Sequence, residues 1–167
     1  MQAPDAQFHL EEAAAQLVAS ATESGCLLAT AESLTGGMVG QFICSVPGAS
    51  AVYRGGVISY ATEVKAQVLG VPVGLLAERG AVDPDVALAM AAGTARVCGA
   101  DYGVATTGAA GPEPCDGKPV GRVYLAVYGP TGSCVVEKNY AGGRAGIRVQ
   151  AAHHALLLLA EAIGNNF

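Results

Sequence analysis

Positive charge is scarce in this chain of 167 residues. Nine Lys and Arg residues stand against fourteen Asp and Glu residues, which gives a net charge of −5, and the basic residues form no cluster. Proteins that follow a nucleic-acid backbone neutralise its phosphates with many Lys and Arg side chains. The composition therefore argues against a nucleic-acid-binding protein.

The sequence also lacks a long apolar run and a secretion signal. A bilayer span needs about 20 apolar residues, whereas the stretch 151–162 is shorter and contains two histidines. Residues 1–5 lack the basic start of a signal peptide. The five cysteines form no C-x-x-C pair, and their odd number is typical of reduced thiols in a cytosol. These absences predict a cytoplasmic protein with no membrane segment.

Charged residues make up only 14% of the chain, and hydrophobic residues make up 51%. This composition predicts one globular domain with a sizeable core. The low charge also makes a homo-oligomer, in its simplest form a dimer, our expectation for the assembly. Glycine is abundant, with 23 residues, many of them where predicted strands meet helices. We interpret these glycines as tight loops near a site.

Apolar periodicity predicts helices that alternate with strands. The predicted helices are 8–24, 35–45, 62–69, 84–98 and 144–163. The predicted strands are 26–31, 55–60, 102–107, 121–128 and 133–140. The turn Gly-Pro-Thr-Gly at 129–132 predicts an antiparallel hairpin between the last two strands. The pattern as a whole predicts a three-layer α/β/α sandwich on a mixed sheet of about five strands.

The stretch 30–37 reads Thr-Ala-Glu-Ser-Leu-Thr-Gly-Gly and joins the first predicted strand to a helix. The start of a helix has unpaired N–H groups and favours negative charge. Ser33 is therefore a candidate nucleophile, and its turn is a candidate anion-binding site. From the pattern alone, however, a serine at this position is more often a helix cap.

A serine nucleophile needs a base, and no histidine is well placed. Lys65, on the next predicted helix, is a candidate base if its amine is neutral. Tyr60 ends the preceding strand and can converge with Lys65, while Arg148 is a candidate cation that lowers the lysine pKa. Each residue also has a structural interpretation: Lys65 as an exposed helix residue, Tyr60 as a core residue, and Arg148 as part of an exposed face with Arg144.

A metal site is not predicted. His153 and His154 are adjacent and diverge around their helix, and no carboxylate or cysteine stands at ligand spacing from them.

Six stretches, in this order and spacing, resemble the CinA C-terminal domain family, the nicotinamide-nucleotide amidases. The resemblance covers about residues 8–163. The stretches are 30–37, 45–50, 55–60 with Lys65 and 69–71, 107–112, 118–121 and 143–148.

The resemblance implies an α/β/α sandwich that hydrolyses nicotinamide mononucleotide to nicotinate mononucleotide and ammonia, with no metal or organic cofactor. It places the family's catalytic residues at Ser33, Tyr60, Lys65 and Arg148. Lys65, helped by Tyr60, would deprotonate Ser33, and N–H groups at the helix start would hold the oxyanion. Arg148 would keep Lys65 neutral, bind the substrate phosphate, or do both. The expected substrate-binding residues are Thr35, Gly36, Gly37, Thr107, Gly108 and Gly111.

The sequence departs from the family pattern at three places. Leu34 and Thr62 replace a frequent cysteine and a common asparagine, and residues 113–117 read Glu-Pro-Cys-Asp-Gly where the family is usually glycine-rich. Two alternatives therefore stay open, a non-catalytic pyridine-nucleotide-binding module and an amidase for another small carboxamide. The chain looks like the stand-alone form of the family.

Overall fold

A computed structural model describes the backbone of residues 3–165 and the side chains of residues 7–164. The side chains of residues 1–5, on which the prediction about a signal peptide rests, lie outside that range. The helices are α1 (Ala3–Ser24), α2 (Met38–Cys44), α3 (Thr62–Gln67), α4 (Val73–Arg79), α5 (Pro84–Cys98) and α6 (Arg144–Asn165), with a 3-10 turn at Ala49–Ala51. The strands are β1 (Leu28–Glu32), β2 (Tyr53–Ile58), β3 (Tyr102–Gly108), β4 (Arg122–Gly129) and β5 (Gly132–Asn139).

The five strands form one mixed sheet in the order β2-β1-β3-β4-β5. β1 lies between β2 and β3 and is parallel to both. β4 is antiparallel to β3, and β5 pairs with β4 as the hairpin that the turn predicted. The carboxyl ends of the three parallel strands therefore meet at one edge of the sheet, where α/β proteins place their sites.

Two helical layers cover the sheet, as predicted. α1, α2 and α6 pack on one face, and α3, α4 and α5 pack on the other. Both faces of the sheet need cover, because successive side chains of a strand point to opposite faces. The buried side chains of β4 accordingly alternate between the two cores. Val123, Leu125 and Val127 join the first core, and Tyr124 and Ala126 join the second. The three-layer α/β/α sandwich is confirmed.

Local capping explains where α5 begins, and one helix of the structure, α4, was not predicted. Asp83 Oδ1 accepts from the N–H groups of Asp85 and Val86 at 2.9 and 3.4 Å, and proline follows it at the first helical position. These two features start α5 at residue 84, where the sequence predicted a helix. Helix α3 begins at Thr62, as predicted, and Ala61 takes the cap position in extended conformation. The helix α4 was not predicted, because it is short and buries a single apolar residue.

The longest helices, α1 and α6, pack against each other through buried leucines that include Leu17 and Leu156. Within the described part of the chain, no helix has both the length and the apolar character that a bilayer crossing requires.

A histidine cluster lies where α6 meets α1 and β5. The ring of His154 stacks on Tyr140 with centroids 5.5 Å apart, and the Tyr140 hydroxyl lies 2.8 Å from His154 Nδ1. His153 lies beside His9, with ring centroids 6.0 Å apart. Burial, followed by the neighbouring imidazoles, lowers the pKa of both His153 and His154 below the ordinary 6.5. The described residues contain no group of three or more His, Cys, Asp or Glu able to hold a metal ion.

We expect the free energy of unfolding to fall as the pH is lowered from about 6.5 towards 5. The folded chain holds His153 and His154 neutral because their pKa values are lowered, whereas the unfolded chain binds protons at both. Urea unfolding at pH 7.5, 6.5 and 5.5 measures the effect. The double variant His153→Gln/His154→Gln should show a smaller change over this range, and an equal change in both proteins would contradict the assignment.

Candidate active site

A pocket of about 220 Å³ lies at the carboxyl ends of β1, β2 and β3. Ser33 follows β1, Tyr60 follows β2, and Gly108 ends β3. The sheet therefore brings together residues that are far apart in the sequence. Of the ten catalytic and substrate-binding residues expected from the sequence, six line the pocket: Ser33, Tyr60, Lys65, Thr107, Gly108 and Gly111.

Lys65 is directed at Ser33. Its Nζ lies 3.1 Å from Ser33 Oγ, 2.6 Å from the carbonyl oxygen of Ser59 and 3.4 Å from that of Tyr60. The lysine is 1% exposed, and no described carboxylate lies within ion-pair distance of it. The amine is thus surrounded by neutral oxygen atoms.

This environment lowers the pKa of the Lys65 amine below its ordinary 10.5, and the main cause is burial. Cys115, Asp116 and Glu63 act in the opposite direction through their charge. A neutral amine has two hydrogens and one lone pair. Two carbonyl oxygens can accept the hydrogens, which leaves the lone pair for the Ser33 hydroxyl.

The turn that follows Ser33 is built around the side chain of Glu32. This carboxylate is 2% exposed and accepts from the N–H groups of Gly37, Val39 and Gly40 at 3.0, 3.1 and 2.8 Å. The hydroxyl of Thr35 also donates to it, at 2.6 Å. The start of α2 is therefore already occupied by an anion from the protein itself.

Here the structure differs from the sequence prediction. The N–H groups of Gly36 and Gly37 do not face the pocket, because the first donates to the Ser33 carbonyl at 3.1 Å and the second to Glu32. Thr35 bonds Glu32 and lies 2.8 Å from the hydroxyl of Thr106. The turn can take this shape because Gly37 adopts a φ of 98°. These residues shape the loop that carries Ser33 and do not line the cavity.

The two arginines of α6 have different places from those predicted. Arg148 donates from Nε and Nη2 to the carbonyls of Leu34 and Thr35, both at 2.9 Å, and it does not line the pocket. These two bonds stabilise the loop that carries Ser33 from outside the cavity. Arg144, one helical turn earlier, lines the pocket instead.

Arg144 joins two walls of the pocket. Its Nη2 donates to the Tyr60 hydroxyl at 2.8 Å, and its Nη1 donates to the carbonyl of Gly111 at 2.7 Å. Tyr60 is 61% exposed, so it is not the core residue of the structural interpretation. Tyr60 was predicted to help Lys65, and it contacts the lysine through its backbone carbonyl, while its hydroxyl bonds Arg144.

The model of the CinA C-terminal domain family matches residues 10–163. The chain belongs to this family. CinA-like proteins of Frankia casuarinae and Anaeromyxobacter dehalogenans are 52% and 50% identical to it over 132 and 148 residues. These alignments cover 79% and 88% of this chain but only 30% and 36% of the relatives. The chain thus spans about a third of the length of the curated relatives that it matches.

Solved structures agree with this assignment. A CinA superfamily protein of Klebsiella pneumoniae is 30% identical and has a TM-score of 0.90, with 93% of this chain and 98% of that chain covered. A competence/damage inducible protein of Agrobacterium tumefaciens is 36% identical with a TM-score of 0.88, and the coverage is 93% and 96%. The family resemblance seen in the sequence is confirmed.

Sequence reasoning missed the role of Glu32 in this CinA domain. The available signal was an acidic residue at the end of an otherwise apolar strand, because a carboxylate is buried only where hydrogen-bond donors satisfy it. No sequence signal showed that Arg144, not Arg148, lines the pocket, since residues four apart lie on the same side of a helix.

We expect Glu32→Gln to lower the free energy of unfolding of the CinA domain by about 1–3 kcal/mol. The glutamine NH₂ group replaces one acceptor oxygen, so it faces a backbone N–H group with no acceptor between them. Urea unfolding measures the loss. Glu23→Gln, on an exposed position of α1, is the matched control and should stay within about 0.5 kcal/mol of wild type. Equal stability of the two variants would show that the carboxylate does not hold the turn.

Proposed function

We propose that this CinA domain is a serine–lysine amidase that hydrolyses nicotinamide mononucleotide to nicotinate mononucleotide and ammonia. The observation that carries the chemistry is the contact of 3.1 Å between Lys65 Nζ and Ser33 Oγ, made by a buried lysine. The family resemblance supports the choice of substrate.

In the first half-reaction, the neutral Lys65 amine takes the proton of Ser33 as its Oγ attacks the carboxamide carbon. The C–N bond of the tetrahedral intermediate then breaks. Lys65 returns the proton to the leaving nitrogen, which departs as ammonia, and an ester on Ser33 remains. In the second half-reaction, Lys65 takes a proton from water, the hydroxide attacks the ester, and the proton returns to Ser33 Oγ as the acid is released.

The oxyanion needs a donor other than the start of α2, which Glu32 occupies. The N–H group of Leu34 directly follows the nucleophile and donates to no acceptor among the described residues. Leu34 also lines the pocket. In other hydrolases the N–H group that follows the nucleophilic serine stabilises the oxyanion, and we assign the same role to Leu34.

The size of the cavity suggests how the nucleotide lies. A volume of about 220 Å³ is below the roughly 300–1,000 Å³ of most small-molecule pockets. We place the ring carboxamide inside and the ribose phosphate outside, towards Arg144. The two bonds to Tyr60 and Gly111 use two of the five N–H hydrogens of this guanidinium, so the others are available for a phosphate.

The same small cavity favours a second candidate, an amidase for a carboxamide that lacks the ribose phosphate. Ammonia release from a panel of carboxamides, with and without that group, separates the two. A clear preference for a small neutral amide would replace the nucleotide as the substrate. Binding of pyridine nucleotide without any ammonia release would instead support a non-catalytic pyridine-nucleotide-binding module.

We expect Ser33→Ala to lower kcat/KM for nicotinamide mononucleotide by about 10⁴-fold or more, because it removes the nucleophile. Lys65→Met keeps the volume but removes the base, with an expected loss of about 10²–10⁴-fold. Ammonia release measures both, and circular dichroism checks that the variants fold. The exposed Ser50→Ala is the matched control for Ser33→Ala. Wild-type rates in the Ser33 variant would exclude the acyl-enzyme.

The pH dependence of kcat/KM tests the protonation state of Lys65. Only the neutral amine can accept the serine proton, so the rate should rise with pH through the pKa of Lys65 and then level off. Burial places that pKa below 10.5, so we expect the plateau below the pH at which an exposed lysine titrates. The residual activity of Lys65→Met should lack this rise. A rate that falls over the same pH range would contradict a lysine base.

A further inference from the structure

Residues 113–118, here called the hairpin tip, form a wall of the pocket that neither the proposed chemistry nor the family pattern explains. Cys115 and Lys118 pair through two reciprocal backbone bonds of 3.1 and 2.8 Å. Between them, Asp116 and Gly117 have φ values of 50° and 71°, and an Asp-Gly pair favours such a two-residue turn. Glu113, Cys115 and Asp116 line the same cavity as Ser33 and Lys65.

A single side chain fastens the hairpin tip to the rest of the protein. Asp116 Oδ2 accepts from the N–H group of Ala81 at 2.6 Å. Within the described range, this is the one hydrogen bond that joins residues 113–118 to another segment. The packing is close, because a Cβ atom at Gly80 would lie 2.7 Å from Asp116 Cγ, and Gly80 has a φ of 76°. The contact therefore depends on a glycine at that position.

The peptide of Ala81 links the hairpin tip to the strand beside the nucleophile. Its carbonyl accepts from the hydroxyl of Thr107 at 2.6 Å, and Thr107 is 1% exposed at the end of β3. The preceding residue, Thr106, accepts from the N–H group of Ser33 at 3.0 Å through its carbonyl. Asp116 is thus two hydrogen bonds from the strand that positions Ser33.

The hairpin tip also brings negative charge into the cavity. Glu113 and Asp116 line the pocket, although the family resemblance predicts glycines in this loop. Besides the Lys65 amine, which the mechanism requires to be neutral, the basic residue that lines the cavity is Arg144, whose guanidinium bonds Tyr60 and Gly111. The pocket therefore combines a carboxylate wall with an arginine, which suits a ligand that carries both signs of charge.

We propose that Asp116 is a specificity-determining positioning residue. It latches the hairpin tip to Ala81 and places a carboxylate on the pocket wall, so that a carboxamide on a cationic ring binds better than the same carboxamide on a neutral ring. This inference rests on the proposed function. The pyridinium ring of nicotinamide mononucleotide is positively charged, whereas the dihydropyridine ring of its reduced form is neutral. The two nucleotides share the carboxamide and the ribose phosphate.

Calorimetry with the oxidised and reduced nucleotides tests the charge, and amide hydrogen exchange at Ala81 tests the latch. Binding is measured in the Ser33→Ala background, so that turnover contributes no heat. We expect about three- to ten-fold tighter binding of the oxidised form. Asp116→Asn, which keeps an acceptor oxygen, should lose most of this preference and keep slow exchange at Ala81. Asp116→Ala should lose the preference and exchange faster.

Glu161→Gln, at an exposed position of α6, removes the same charge far from the pocket and should change neither measurement. An unchanged preference in Asp116→Asn would overturn the role of the charge, and unchanged exchange in Asp116→Ala would overturn the latch. If Asp116→Ala does not fold, Asp116→Asn and Glu161→Gln still decide the charge. Ammonia release by the wild-type chain is measured separately, so a failure of the proposed function leaves the binding result interpretable.

Discussion

Burial of the Lys65 amine among neutral oxygen atoms is the constraint on which the site depends. Taking an ammonium out of water costs free energy unless an opposite charge accompanies it. No described carboxylate lies within ion-pair distance of the Lys65 amine. The surrounding carbonyls of Ser59 and Tyr60 satisfy a neutral amine. The fold therefore favours the neutral amine that the proposed mechanism requires, and the main cause is burial, not a neighbouring cation.

The buried Glu32 carboxylate and Arg148 hold the loop that carries Ser33. Glu32 accepts hydrogen bonds from the N–H groups at the start of α2. On the other side of the turn, Arg148 donates to the carbonyls of Leu34 and Thr35. Hydrogen bonds to backbone N–H groups on one side and to backbone carbonyls on the other thus hold the loop that carries Ser33. Because the Glu32 carboxylate fills the helix start, the proposed mechanism assigns the negative charges of the substrate to Leu34 and Arg144 instead.

The layers and the sheet were predictable because apolar periodicity and turn residues act locally. The Asp83-Pro84 start of α5 and the hairpin of β4 and β5 follow from a few neighbouring residues. The short helix α4 was not predictable, because it lacks a periodic apolar face. Tyr60 shows the same limit at the site. Its position at a strand end was visible, but the direction of its hydroxyl depends on Arg144, 84 residues away.

The amino-acid sequence by itself determined the family, the α/β/α architecture and the pairing of Ser33 with Lys65 as a hypothesis, because these rest on local patterns and on motifs in register. Tertiary structure alone decided which groups face the cavity. Arg144 lines it and Arg148 does not, although both stand on one side of α6. The N–H groups of Gly37, Val39 and Gly40 turn inwards to Glu32. The reason is that orientation in a packed interior depends on hydrogen-bond partners that the chain brings together only when the sheet forms.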